Sequence, residues 1–163
     1  MTHDPAPETP TRLVYVDSGE LVAHARMLFQ EYEQAIGVDL CFQGFADELA
    51  TLPKPYVAPH GRLVLALVGT EVAGCAALRR IGDGVGELKR LYVRPPFRGR
   101  GLGKRLVDTL LEDARTIGYR AVRLDTLPTM TEAIALYRAL GFTEIAPYTA
   151  NPVPGALFME RIL

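Results

Sequence analysis

The spacing of apolar positions changes along this chain, and each change marks an element. Residues 12–16, RLVYV, have strand composition, and Asp17 or Ser18 behind them is a residue type that caps helices. From Leu21 the apolar positions recur at helical spacing through Ala25, Leu28, Phe29, Tyr32 and Ile36, and Gly37 supplies a stop. A weaker helical stretch follows in FQGFADELATL, 42–52. PKPYVAP after it reads as loop, because its prolines interrupt both helix and ladder.

RLVLALV (62–68) and EVAGCAAL (71–78) are apolar runs joined by Gly69-Thr70, the signature of a two-residue hairpin. After a loop IGDGVG (81–86), ELKRLYV (87–93) predicts a third antiparallel strand, stopped by Pro95-Pro96. Strict alternation would put Glu87, Lys89, Leu91 and Val93 on one face and Leu88, Arg90 and Tyr92 on the other. A helical stripe runs through Leu102, Leu106, Leu110, Ala114 and Ile117 to Gly118. A strand over 120–125, a helix over 131–140, a strand opening at Phe142 and a last strand over 157–162 complete the order β-α-α-β-β-β-α-β-α-β-β. That order predicts an α/β domain over 12–163, a mixed central sheet of about seven strands flanked by about four helices. The polar, proline-rich start, 1–11, reads as a disordered tail.

Composition narrows the class. At 163 residues and 48% hydrophobic content the chain can bury one core, so a single domain is expected. A net charge of −1 gives no overall reason to bind nucleic acid or an anionic membrane, so any basic site must be local. Cys41 and Cys75 stand alone, and His24 and His60 have no spaced partners; neither a disulfide framework nor a metal site is expected. Isolated thiols, with no signal peptide and no membrane-length apolar run, point to the cytoplasm. The open edges of a mixed sheet raise the expectation of a homodimer.

Between the third strand of the hairpin series and the next helix lies RGRGLGKRL, 98–106, with three glycines and four cations. A helix N-terminus exposes N–H groups without intrahelical partners and carries partial positive charge, so it suits phosphate. Gly99, Gly101 and Gly103 would let an anion approach the backbone, and Arg98, Arg100, Lys104 and Arg105 would surround it with charge. The plainer reading is a loop with a solvated basic face. Spacing excludes two phosphate loops. A Walker A pattern would need glycine where Arg98 stands and a hydroxyl where Arg105 stands, and GxGxxG would need glycine at Lys104 or Leu106.

The pattern that fits is [Q/R]-x-x-G-x-[G/A], filled by Arg98, Gly101 and Gly103 directly after Leu91-Tyr92-Val93. With AIALYRALGF, 133–142, it resembles the GCN5-related N-acetyltransferase (GNAT) superfamily over about residues 12–162. LDTLPTM (124–130) and NPVPG (151–155) further resemble segments of a bacterial subgroup. Met130 stands where many relatives carry asparagine. The resemblance implies a GNAT fold and acetyl-CoA as acyl donor, held by Leu91, Tyr92, Val93, Arg98, Gly99, Arg100, Gly101, Leu102, Gly103 and Lys104. It also implies direct transfer of acetyl, in a ternary complex, to a primary amine of a small molecule. The alternatives are a protein or peptide N-terminus as acceptor and a non-catalytic CoA-binding module.

Acetyl transfer needs an unprotonated amine, a polarised carbonyl and a proton for the departing thiolate. Related enzymes place a general-base glutamate where Glu87 stands; the other reading of Glu87 is a strand-end carboxylate paired with Lys89 or solvent. The resemblance puts a carbonyl-binding main-chain N–H near Leu91 to Val93, and a tyrosine hydroxyl beside the CoA sulfur at Tyr137. With an ordinary pKa of about 10, that phenol is close enough to a thiol to exchange a proton. Its other reading is core packing within the stripe of the helix. Lys89 and Arg90 are unusual charges for a central strand, and they either meet an acidic group on the acceptor or pair with Glu87 or Asp125.

Overall fold

The structure is a computed structural model that describes residues 9–163. The strands are β1 (Thr11–Tyr15), β2 (Arg62–Val68), β3 (Glu71–Gly82), β4 (Val85–Val93), β5 (Ala121–Thr126), β6 (Thr143–Ile145) and β7 (Leu157–Ile162). They form one sheet in the order β1-β2-β3-β4-β5-β7-β6. All neighbours are antiparallel except β4 and β5, which run parallel. The helices are α1 (Glu20–Ile36), α2 (Phe45–Thr51), α3 (Leu102–Ile117) and α4 (Thr131–Ala139). α3 is the crossover that a parallel neighbour requires. None of the described helices is long and apolar enough to cross a membrane.

Both faces of the sheet are covered, which is why β2 reads as an unbroken apolar run. Its Val64 and Ala66 face α3, where Leu106, Leu110 and Ala114 meet Leu78, Leu88 and Val122. Leu63 and Leu65 face α1, where Ala25, Leu28 and Phe29 meet Cys75, Ala77, Tyr92 and Phe45 of α2. α1 ends at Gly37, whose left-handed φ of 67° lets its N–H turn back to Gln34 and Glu33 carbonyls.

Several expectations shift. The stretch 42–52 is two pieces, a 3₁₀ turn over Leu40–Gln43 and then α2, broken at Gly44 with φ 70°. The loop expected over 81–86 shrinks to a turn at Asp83-Gly84, because Gly86 pairs with Arg80 inside the ladder. A Cβ at Gly86 would lie 2.9 Å from the Tyr119 ring, so that glycine marks close packing rather than loop. β1 starts at Thr11, with the Pro10 carbonyl accepting the Gly69 N–H at 3.0 Å, inside the stretch expected to be disordered. Residues 1–8 of that expected tail lie outside the described residues.

The alternation expected along β4 also fails, for one reason. Lys89 faces Ala77 and Tyr92 faces Cys75, so Ala76 opposes both Arg90 and Leu91 in a β-bulge. Arg90 has φ 60°, the one positive value at a non-glycine residue among the described residues. The extra residue inverts the side-chain parity beyond it. Leu88, Leu91 and Val93 pack toward α3, while Tyr92 packs toward α1 and both Lys89 and Arg90 reach partners in or beside α2.

Candidate active site

β4 and β5 pair only from Val85 to Glu87 against Ala121 to Arg123, and beyond that they part. From Leu88 onward the β5 side of β4 is therefore a strand edge inside the sheet, with N–H and C=O groups that no ladder satisfies. A cleft of about 670 Å³ opens along this edge. Leu91, Tyr92 and Val93 line it, as do Arg98, Gly99, Gly101, Leu102, Gly103 and Lys104. Arg100 does not: its guanidinium sits 5.6 Å from the ring centre of Phe97, itself a wall residue.

At one end of the cleft α3 begins without a side-chain cap. Its first intrahelical bond runs from the Arg105 N–H to the Gly101 carbonyl at 3.1 Å, so the preceding amides have no partner in the helix. Gly99 and Gly101 hold φ of 80° and 75°, and a Cβ on either would point into open space. The glycines thus permit a left-handed path and leave bare backbone where the helix dipole is positive. Arg98 donates through Nε to the Val93 carbonyl at 3.0 Å, tying this loop to the end of β4. Lys104 meets Asp108 at 2.6 Å on the exposed side of α3. A diphosphate at the helix start and an amide-bearing arm along the β4 edge would complement this geometry.

Where the cleft reaches β4 it joins a narrow pocket of about 30 Å³, with Tyr32, Ile36, Leu91 and Met130 common to both. Gln43, Lys89, Arg90, Asp125, Tyr137 and Asn151 complete the walls that matter chemically. Tyr137 projects from α4 with its ring 5.6 Å from Phe142. Burial pushes its pKa up, with Tyr32 and Asp125 adding to the shift, and its hydroxyl has no hydrogen-bond partner among the described residues. Met130 occupies the N-terminal end of α4, its sulfur accepting from the Thr126 hydroxyl at 3.7 Å.

The charged residues of β4 divide sharply. Arg90 is closed off: Glu48 of α2 takes its Nε and Nη2, each at 2.9 Å. Neither Glu87 nor Asp125 is its partner. Lys89 donates to Gln43 Oε1 at 2.9 Å and stands 3.7 Å from Glu87. Burial lowers its pKa, and Glu87 works against that shift. Glu87 is 2% exposed, with Arg79 on Oε1 at 2.9 Å and the Tyr148 hydroxyl donating to Oε2 at 2.7 Å. It faces a separate groove with Arg79, Arg123 and Tyr148, and it does not line the narrow pocket.

Asp125 does line it, one carboxylate oxygen accepting from Asn151 Nδ2 at 3.0 Å. Sequence reasoning passed over Asp125 except as an ion-pair partner. The available signal was an acid near the carboxyl end of a parallel strand, where α/β sheets place their ligands. Glu48, Gln43, Tyr148 and Asn151 carried no comparable signal, because each acts through a residue far along the chain. Among the described residues no group of three or more His, Cys, Asp or Glu is arranged to hold a metal.

Comparison with known proteins places this geometry. The acetyltransferase (GNAT) family profile matches residues 28–142. An uncharacterised N-acetyltransferase of Schizosaccharomyces pombe is 43% identical over 83% of this chain and 84% of its own length. An IAA acetyltransferase of Azospirillum brasilense is 37% identical over 71% of this chain and 74% of its own. Among solved structures, an acetyltransferase of Streptococcus agalactiae superimposes with a TM-score of 0.78 at 21% identity, covering 94% of this chain and 98% of that one.

Proposed function

This chain belongs to the GNAT family of acetyltransferases, acetyl-CoA-dependent N-acyltransferases, and we propose that its acceptor is a small primary amine bearing a carboxylate. The observation that carries this reading is what remains after internal pairing. Arg90 is matched by Glu48, and Arg79 by Glu87. Lys89, 3.7 Å from a Glu87 that Arg79 and Tyr148 already bind and hydrogen-bonded to the neutral Gln43, and Asp125, whose partner is the neutral Asn151, put a cation and an anion on the walls of the same narrow pocket. A zwitterion complements them, its carboxylate toward Lys89 and its amine toward Asp125.

In this reading the donor's phosphates rest on the first amides of α3 and the cations around them, and its pantetheine amides on the free edge of β4. Main-chain N–H groups following the bulge, from Leu91 to Val93, polarise the thioester carbonyl. The amine nitrogen attacks that carbon within a ternary complex. The ammonium first gives one proton to Asp125; the carbon–nitrogen bond then forms, the carbon–sulfur bond breaks, the thiolate takes its proton from Tyr137, and the second proton leaving the nitrogen returns the tyrosine to its neutral form. Glu87 serves by fixing Lys89 and Arg79.

Thiol release measured over a panel of amines, matched pairs with and without a carboxylate together with short peptides, tests the reading. The carboxylated members are expected to be the better substrates. Lys89→Met is expected to lower kcat/KM for them at least tenfold while leaving the uncharged members within about twofold, since a hydrogen bond to a charged group is worth about 1.5–3 kcal/mol. A wild-type protein indifferent to the carboxylate sinks the acceptor class. Tight CoA binding with no thiol release from any amine would make the chain a non-catalytic CoA-binding module, and turnover confined to peptides would make it a peptide N-acetyltransferase.

A further inference from the structure

The bulge in β4 is held from outside the sheet. Arg90 sits at φ 60°, a region that residues with side chains seldom adopt and that persists only where surrounding contacts over-determine it. Those contacts come from three elements. Glu48 of α2 binds the guanidinium through both oxygens, each at 2.9 Å. The same guanidinium lies 5.2 Å from the ring centre of Phe45 and 5.9 Å from that of Tyr32 in α1. The Arg90 carbonyl accepts from the buried Cys75 thiol of β3 at 3.2 Å.

The pair is also sealed. The side chains of Arg90 and Glu48 are 2% and 10% exposed, and although Arg90 borders the narrow pocket, its Nε and Nη2 are both held by Glu48. What the pair can reach is the backbone it is attached to, immediately before Leu91, the first residue of β4 that lines the cleft. We infer that Glu48 is a positioning residue for acyl transfer: through Arg90 it locks the bulge in its left-handed conformation and so aims the N–H groups that follow at the thioester carbonyl.

This inference rests on the donor placement argued above. Without the Glu48 charge, Arg90 becomes an uncompensated buried cation, and the least costly response is for its side chain to move and the backbone under it to relax. Oxyanion donors tolerate little of that, since a misplacement of about 1 Å costs on the order of 10²-fold.

The test uses the full chain, with CoA and carbonyl-¹³C acetyl-CoA as probes, and reads the infrared stretching frequency of the bound thioester carbonyl alongside the Kd of CoA. In the wild-type protein the bound carbonyl is expected at lower frequency than the free one. Glu48→Gln is expected to lose most of that shift while Kd for CoA stays within about twofold. Glu48→Gln/Arg90→Gly, in which glycine adopts the positive φ unaided and no cation is stranded, is expected to regain it. A full carbonyl shift in Glu48→Gln overturns the inference and leaves the donor site standing. So does a double variant no better than the single one. Where Glu48→Gln is too unstable to measure, Glu48→Gln/Arg90→Gly is compared with Glu48→Gln/Arg90→Ala, neither of which strands a charge: a shift kept with glycine and lost with alanine supports the inference, and an equal shift in both, with CoA binding intact, overturns it. A wild-type complex whose carbonyl is unshifted sinks the donor placement itself.

Discussion

Tyr137 combines a packing ring with a hydroxyl that nothing in the described residues engages, and the two can be separated by one substitution. Phenylalanine keeps the contact with Phe142, so Tyr137→Phe is expected to leave Tm within a few degrees, the shift for about 1 kcal/mol. Turnover is expected to fall about 10²-fold, and CoA affinity to stay put, because the role proposed for the hydroxyl begins only as the carbon–sulfur bond breaks. Full turnover with a large loss of stability would return the hydroxyl to the core. Burial raises the tyrosine pKa, which keeps the phenol protonated through neutral pH; the same dry surroundings disfavour a thiolate, so donor and recipient shift together. The two carboxylates are distinguished by pH. Asp125→Asn is expected to lose activity mainly below the pKa of the acceptor amine and little above it, where free amine already dominates. Glu87→Gln, whose carboxylate is fixed by Arg79 and Tyr148, is expected to lose a similar factor at every pH. Profiles of kcat/KM for the two variants decide it, and the pH-selective loss appearing in Glu87→Gln instead would make Glu87 the base.

At the scale of elements, the start of α3 and the edge of β4 have separate parts in the proposed donor site. Gly101 holds φ 75° with open space around a would-be Cβ, so substitution there meets backbone strain but no clash. Asparagine and aspartate tolerate that conformation about equally and differ by a charge. Gly101→Asp is therefore expected to weaken CoA binding on the order of 10-fold or more beyond Gly101→Asn, with the two Tm values within a few degrees of each other, since an anion placed at a helix N-terminus opposes a second anion that binds there. Calorimetric titration of both variants with CoA measures the gap, and equal affinities would remove the phosphates from this helix end. The β4 edge owes its availability to a different cause, the parting of β4 from β5 after Glu87. Continued pairing with β5 would have consumed the backbone groups that the proposal assigns to the arm of the donor.

Over the whole molecule, two apolar layers share one sheet, so the described chain is expected to unfold as a unit. CoA at about 100 times its Kd is expected to add about 2.7 kcal/mol and raise Tm by about 5–10 °C for a domain of this size. Thermal unfolding with and without CoA measures the rise; an unmoved midpoint for a ligand shown to bind would mean that the cleft forms outside the cooperative unit. The elements of this unit were legible in the sequence because amphipathic periodicity and glycine punctuation are local: the stripe from Leu102 to Ile117 and the stop at Gly118 predict α3, and α3 forms there. The basic glycine loop was legible for the same reason, its chemistry lying in consecutive residues. The bulge was not, since ELKRLYV has the same strand composition with or without an extra residue, and only pairing with β3 shows two residues opposite Ala76. Nor were the partners of the site charges, because Glu48 lies 42 residues from Arg90 and Tyr148 lies 61 from Glu87. The sequence by itself determined the elements, their order and the basic glycine loop that opens α3, all set by neighbours along the chain. The tertiary structure alone decided which charges are matched, which strand edge stays open and which carboxylate reaches the pocket, because sheet register and helix docking bring together groups that the chain keeps apart.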